Sequence, residues 1–406
     1  MCIRNFLIRH FGVWALIALI SPIGYAQSNQ VDLKTAIEGA WQRLPQARAL
    51  EAKRDEASAG QEASRSWIAG SPSIGLMQRS DRWHEQTGVR ESEVSMAAPI
   101  WLPEQRAVRQ TLADSSANAL EGQIADSRLT VAGEVRELLW SVASARQALE
   151  EAKGHQRYLE ALAKDVGKRV KAGDLARTDE LLAQQEALAA EGRVVAFFNR
   201  EQAELARFKN LTGLLDIPSL VVERTPASVP ELHPRMQAAR TSLERAQAAM
   251  KVVSTVRSDP PTVGLLMRHD QGRAMQESSR TIGIALQIPI GTRSRNRPLE
   301  TAAITELETA TAEVARTESV LGSDIALARQ QLQASEQSLT AAIRRNELAK
   351  EHTRHIEKAF RLGERSLFEL LRSRTSLHEA EMAERQQHVV VGLSHARLNQ
   401  ALGIIP

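Results

Sequence analysis

Two histidines, His352 and His355, stand three residues apart in a stretch rich in Ala, Glu and Arg. On a helix that spacing puts both rings on one face, where imidazole nitrogens can hold a transition metal. No carboxylate-plus-histidine constellation surrounds the pair, and the other histidines and methionines are scattered. A solvated polar helix face is therefore the expected role. The chain has no glycine-rich phosphate loop and no nucleophile elbow. Its one cysteine, Cys2, lies at the N-terminus, so no disulfide or thiol chemistry is expected of the rest. The expectation is a protein that is not an enzyme and has no catalytic residue, metal site or cofactor of its own.

Charge narrows the partners. The net charge is +3 with His neutral, and +1 remains once Arg4 and Arg9 are set aside. A nucleic-acid binder needs a concentrated basic face, which this balance does not supply. Residues 1–26 read as a signal peptide: Arg4 and Arg9, then the apolar run FGVWALIALI, then Gly24-Tyr25-Ala26 with small residues for cleavage before Gln27. The apolar run is too short to span a bilayer as a helix.

What remains must be built mainly from long helices. Aromatics are 4% of the chain, and Ala, Leu, Glu, Gln and Arg dominate. From Glu104 to Gly213 there is no proline. Val108, Leu112, Leu120 and Ile124, then Val131, Val135, Leu138 and Val142, then Leu159, Leu162, Val166 and Val170 recur at threes and fours, one apolar stripe on a helix. The one local break is Lys171-Ala-Gly173-Asp174, where glycine turns a helix end. The reading is a helical hairpin whose first arm is ~100 Å long at 1.5 Å per residue. Before it, residues 28–70 read as helix, broken at Leu44-Pro45. Pro72 to Arg79 reads as a short strand, Ser80 to Arg90 as a turn, and Val94, Met96, Ala98 and Ile100 as a second strand.

The second half repeats the first. A shift of 189 residues places Pro45 on Pro234, Pro72 on Pro261, Gly75 on Gly264 and Arg79 on Arg268. A shift of 190 then places Pro99-Ile100 on Pro289-Ile290, Gly173-Asp174 on Gly363-Glu364, and Gly213 on Gly403. A register held over so many positions marks a duplication. Ile282, Ile284, Leu286, Ile288 and Ile290 alternate strictly with other residues, and a second hairpin runs from Leu299 to Leu402. The expected organisation is a first repeat over 27–214, a linker over 215–232 with one short strand, and a second repeat over 233–406.

The strands have the length that crosses a bilayer when tilted. One face of each is apolar and the other small or polar. A soluble strand pair packed on a helix also alternates, and the only aromatic girdle is Trp67, Trp83 and Trp101. Four strands cannot close a barrel, and an open sheet edge in lipid is forbidden. Single-chain barrels begin at eight strands. Strands that span a membrane here must share one barrel among several chains.

The duplication, the four strands and the two tip motifs, Arg169-Val-Lys-Ala-Gly173-Asp-Leu-Ala-Arg-Thr178-Asp179 and Phe360-Arg-Leu-Gly363-Glu364-Arg365-Ser366-Leu-Phe-Glu369, resemble the TolC-type outer-membrane efflux family over residues 28–406. The resemblance implies a fold that is mainly α with β. Duplicated helical hairpins form an α-barrel, and four transmembrane strands per chain join a homotrimeric twelve-stranded β-barrel in outer-membrane lipid. It implies a passive duct whose periplasmic tip meets a periplasmic adaptor (a membrane fusion protein) and an inner-membrane pump, exporting metal cations or drugs. Ending just after the last helix, at Pro406, the chain is similar to shorter members, including heavy-metal branches. The alternative is a soluble periplasmic coiled-coil adaptor, which usually has one hairpin rather than two.

The resemblance also assigns the tips. Gly173, Asp174, Leu175, Gly363, Glu364 and Leu367 would meet the adaptor. In the gate, Arg365 would bond near Thr178, and Asp179 would face Phe360, whose lack of a hydroxyl weakens that link. Glu369 falls where the family has a gating carboxylate, and Arg372 stands where it has a second. Three Glu369 and three Arg372 brought together in a trimer would line the closed entrance and pair charges rather than form a purely acidic ring.

Overall fold

The computed structural model describes residues 32–83, 88–218, 222–225, 232–271 and 277–406. The expected signal peptide, parts of both strand turns and much of the linker lie outside them.

Two helices open the described chain, α1 (Leu33–Arg43) and α2 (Pro45–Arg65). Asp32 caps α1, its Oδ1 accepting from Thr35 N–H at 2.7 Å. Leu44 is extended because the Pro45 ring disfavours helix before it, and Pro45 sits at the first position of α2, where its missing donor is not needed. The strands β1 (Ser73–Ser80) and β2 (Arg90–Pro99) follow, then α3 (Gln105–Lys171) and α4 (Arg177–Thr212). The second half follows the same order of strand pair and long hairpin, with α5 (Pro234–Thr255), β3 (Thr262–Gln271), β4 (Ser279–Gln287), α6 (Arg293–Arg361) and α7 (Leu367–Ala401).

Several expected bounds shift. The first helical stretch stops at Arg65, short of Gly70. Ser80 and Arg90 belong to strands, so the turn between them is shorter. Ile288 and Ile290 lie past the end of β4. Helix α6 starts six residues before Leu299 and carries Pro298 inside it. Thr292 Oγ1 accepts from Arg295 N–H at 3.4 Å and starts the helix upstream. The proline then removes one backbone donor close to the end, where the loss is small.

The two long helices, 67 and 69 residues, are each ~100 Å long. Helix α3 is the hub and packs on α2, α4, α5 and α7, whereas α6 packs on α5 and α7. The upper core joins Ile37 and Trp41 of α1, Leu50 of α2, Val131, Val135 and Val142 of α3, and Phe208 of α4. Where α3 crosses α7, the Trp140 ring rests on Gly392; a Cβ there would stand 2.0 Å from the ring.

Two helical faces are left open. On α4, Leu181, Leu188 and Val195 recur every seven residues and are exposed. On α6, Leu327, Ala334, Ala341 and Leu348 do the same. Each is a single exposed stripe of one apolar or small residue per seven, narrower than the double stripe of a coiled-coil seam.

The strands form one antiparallel sheet in the order β1-β2-β3-β4. Its register aligns apolar residues in rows across all four strands: Ile74–Met96–Leu265–Ile284, and Leu76–Val94–Met267–Ile282. Small or polar residues dominate the opposite rows: Gly75–Ser95–Leu266–Gly283 and Met77–Glu93–Arg268–Thr281. The buried core clusters contain no strand residue.

Candidate functional site at the hairpin tips and on the sheet

Both tips are built the same way. At the first, Gly173 takes φ +86°, its N–H bonds Val170 C=O at 3.1 Å, and Asp174 N–H bonds Arg169 C=O at 2.9 Å. At the second, Gly363 takes φ +78°, its N–H bonds Phe360 C=O at 3.1 Å, and Glu364 N–H bonds Ala359 C=O at 2.9 Å. This is the paired bonding of a helix closed by a left-handed residue. A Cβ at either glycine would meet open space, so backbone conformation, and not room, requires glycine there.

The next helices start on carboxylates one repeat apart. Asp179 Oδ2 accepts from Ala176 N–H at 3.3 Å. Glu369 Oε2 accepts from Ser366 N–H at 3.2 Å, and Ser366 Oγ accepts from Glu369 N–H at 3.3 Å, a reciprocal cap. Arg365 Nη1 donates to Glu369 Oε1 at 2.8 Å. The Ser366 backbone N–H, and next Arg365, hold the Glu369 carboxyl below its ordinary range. Within one chain Glu369 thus pairs with Arg365, which turns onto the first turn of the helix that follows it. Thr178 and Arg372 are both exposed.

Phe360 is buried with Val166, Leu367 and Leu370. Its ring faces Arg169, whose guanidinium carbon lies 5.1 Å from the ring centroid, in place of the expected Asp179. This cation–π contact joins the two hairpins at their tips. Leu367 is 2% exposed and is not available to an adaptor. The exposed apolar side chains at this tip are its neighbours Leu362 and Phe368, at 65% and 63%. Leu175 is half-buried and Asp174 and Glu364 are exposed.

Above the tips α3 and α7 are joined by polar pairs that the sequence reading missed. Glu137 accepts from Arg397 at 2.6 Å, Ser144 bonds Gln386 at 3.0 Å, Glu151 pairs with Arg385, and Tyr158 lies under Arg374 at 3.9 Å. The α3 members recur every seven residues, a signal present in the sequence. Arg374 Nη2 also donates to Glu357 of α6 at 2.7 Å. His352 Nδ1 lies 3.1 Å from Ser373 Oγ and His355 is exposed. Among the described residues no three metal-ligating side chains gather.

Within that row, His155 of α3 stacks on His378 of α7, with ring centroids 4.0 Å apart and planes at 11°. They line a cleft of about 380 Å³ with Glu151, Tyr158, Arg374 and Arg385. Burial lowers both pKa values; that of His155 falls from 6.5 to about 4, with His378, Arg193 and Arg374 adding to the effect. The folded state thus disfavours the protonated rings. Their stabilising contribution is whole above the ordinary pKa of 6.5 and is lost as pH falls towards 4. The expected result is a thermal midpoint that drops through this window. The drop should flatten in His155→Phe/His378→Phe, and a double variant with the wild-type profile would refute the assignment.

The sheet offers a second surface. Its apolar face is bare: Ile74, Leu76, Ile282 and Ile284 are each at least three-quarters exposed. Trp67 and Trp83, at 84% and 91% exposure, stand beyond the two ends of β1. On the other face Arg268 pairs with Glu91 and with Asp270, the latter at 2.9 Å. No described helix is long and apolar enough to cross a membrane, a test that says nothing of strands.

No protein-family model matches the sequence, and no curated protein matches it. Solved structures do. The outer membrane protein VceC from Vibrio cholerae is similar at TM-score 0.75 and 16% identity, covering 91% of this chain and 96% of that one. The transmembrane channel CusC is similar at 0.74 and 15%, covering 92% of each chain. The MtrE outer membrane channel of Neisseria gonorrhoeae, in its open state, is similar at 0.72 and 16%, covering 91% and 88%. The chain shares their fold along nearly its whole length.

Proposed function

We propose that the chain is one of three identical subunits of an outer-membrane duct of the TolC type, serving a tripartite exporter. The bare apolar face of a sheet with two open edges carries this reading. In water, adjoining rows of exposed apolar residues are a liability; facing lipid they are a requirement. The open edges of β1 and β4 demand neighbouring chains, and three chains give twelve strands. The exposed stripes on α4 and α6 are where helices of neighbouring chains would pack. The two tandem hairpins do not suit a soluble adaptor.

The tips are the end that meets a periplasmic adaptor and pump. Leu362 and Phe368, flanked by Asp174 and Glu364, offer the apolar contact, and Leu367 supports them from beneath. Glu369 and Arg365 form the constriction with Asp179 and Thr178, and Arg372 adds positive charge.

The expected result is a heat-resistant trimer in the outer-membrane fraction that conducts ions in planar bilayers. Glu369→Ala frees Arg365 and shifts the preference away from cations. A folded monomer in the soluble periplasmic extract would overturn the duct. Unchanged conductance and ion preference in Glu369→Ala would overturn only its place in the gate.

A further inference from the structure

The segments joining the sheet to the helices carry an unbalanced charge. Arg65, Arg106 and Arg109 cluster where β1 and β2 meet α2 and α3. Arg257, Arg293, Arg295 and Arg297 cluster where β3 and β4 meet α5 and α6. Residues 65–72, 100–110, 256–261 and 288–300 hold these seven arginines, no lysine and three acids. The segments beyond the other end of the sheet, 80–90 and 270–280, hold four arginines and four acids in sequence. The excess therefore lies at the helix-side end of the sheet.

The arginines are arranged and not merely present. Arg106 Nη2 donates to Arg65 C=O at 2.5 Å, and Trp101 Nε1 donates to Ser66 C=O at 2.9 Å. The Arg109 guanidinium lies 5.7 Å from the Trp101 ring centroid. In the second cluster Arg295 Nη1 and Asn296 Nδ2 both donate to Arg257 C=O, at 3.4 and 2.9 Å. A backbone bond from Ile100 N–H to Pro261 C=O, 2.8 Å, ties the two clusters together. Asp259 answers Arg295, and Asp114 lies 3.9 Å from Arg65. Arg293 and Arg297 are exposed and pair with no acid among the described residues.

We propose that these arginines form a collar that binds the phosphate headgroups of anionic phospholipids in the inner leaflet of the membrane. The proposal rests on the reading of the sheet as membrane-embedded, which places the apolar rows in acyl chains and the rim at headgroup depth. A guanidinium fork fits a phosphate with two hydrogen bonds. Exposed Trp67 and half-buried Trp101 stand at the same rim, where indole rings favour the interface. Phospholipid is the partner because acyl chains engage Ile100, Ile288 and Ile290 beside the guanidiniums, which a free anion does not.

The test reconstitutes the full chain in vesicles of phosphatidylcholine, alone or mixed with phosphatidylglycerol, and reads retained lipid by native mass spectrometry. Wild type should retain phosphatidylglycerol over phosphatidylcholine by roughly tenfold or more, with the preference falling as salt rises. Arg293→Gln/Arg297→Gln should lose most of that preference while keeping the heat-resistant trimer band. Arg65→Gln/Arg109→Gln should do the same at the other cluster. Equal retention of both lipids, or an unchanged preference in both variants, overturns the collar. So does complete displacement by millimolar inorganic phosphate, which would mark a plain anion site. Failure of wild type to enter either vesicle is a separate outcome and overturns the membrane reading together with the collar.

Discussion

Arg136→Ala lowers the stability of the folded chain by about 3–5 kcal/mol, the cost of breaking a buried ion pair from one side. Arg136 lies in the middle of α3 and is 2% exposed. Its Nε and Nη2 donate to the Glu223 carboxylate at 2.9 and 2.7 Å, Nη1 to Gln400 Oε1 at 2.7 Å, and Nη2 to Ile404 C=O at 3.0 Å. Asn399 Nδ2 adds a donor to Glu223 at 3.3 Å, and Gln400 Nε2 reaches Leu129 C=O at 2.7 Å. One side chain thus fastens a linker segment and the end of the second repeat to the central helix of the first. Removing it leaves the Glu223 carboxylate facing a low-dielectric site with two acceptors unanswered. Arg136→Lys keeps a charge but not the fork, and falls between wild type and Arg136→Ala. Arg136→Met/Glu223→Gln removes both charges and recovers much of the loss. Urea unfolding of the detergent-solubilised chain measures all four. A loss under 1 kcal/mol in Arg136→Ala would show that the clamp carries no net stability.

This clamp was invisible in the sequence because its members lie 87 and 264 residues apart in sequence. Neither Arg136 nor Glu223 differs from any other charged residue in a charged helical chain. The duplication was legible because Gly173 and Gly363 each need a left-handed backbone, and Pro45 and Pro234 each start a helix, so the register shows in residues that tolerate few substitutes. Strand identity was legible from the two-residue alternation. The end of β4 was not, since Ile288-Pro289-Ile290 continues the alternation after the pairing has stopped. At the tips the glycines were legible because a left-handed turn requires them, whereas the face that α7 turns outward was not. Ser366 and Glu369 cap the helix, and that fixes Leu367 inward and Phe368 outward, a rotation of about 100° set by local hydrogen bonds. The cross-hairpin contacts of Arg169 with Phe360 and of His155 with His378 depend on which helix lies beside which, and a single stripe of apolar residues does not specify that.

Ile284→Arg is expected to have the other large effect, and it asks what the sheet faces. Ile284 is on β4 in the row with Leu265, Met96 and Ile74, and it is 77% exposed within one chain. If that surface meets water, replacing an exposed isoleucine by arginine changes stability by no more than about 0.5 kcal/mol in either direction. If it meets the middle of a bilayer, the guanidinium must leave water, and the cost is about 2–4 kcal/mol per chain. Thr281→Arg is the control, because Thr281 lies on the opposite face in the row with Arg268 and Glu93. If that face meets water, a charge there should be tolerated. The comparison is made by urea unfolding in phospholipid vesicles and by the yield of heat-resistant trimer. The expected outcome is a marked loss for Ile284→Arg and near-wild-type behaviour for Thr281→Arg. Equal tolerance of both would place water on both faces, and then neither the shared barrel nor the arginine collar at its rim could stand. A loss confined to the apolar face would mean that this face meets lipid and the opposite face does not.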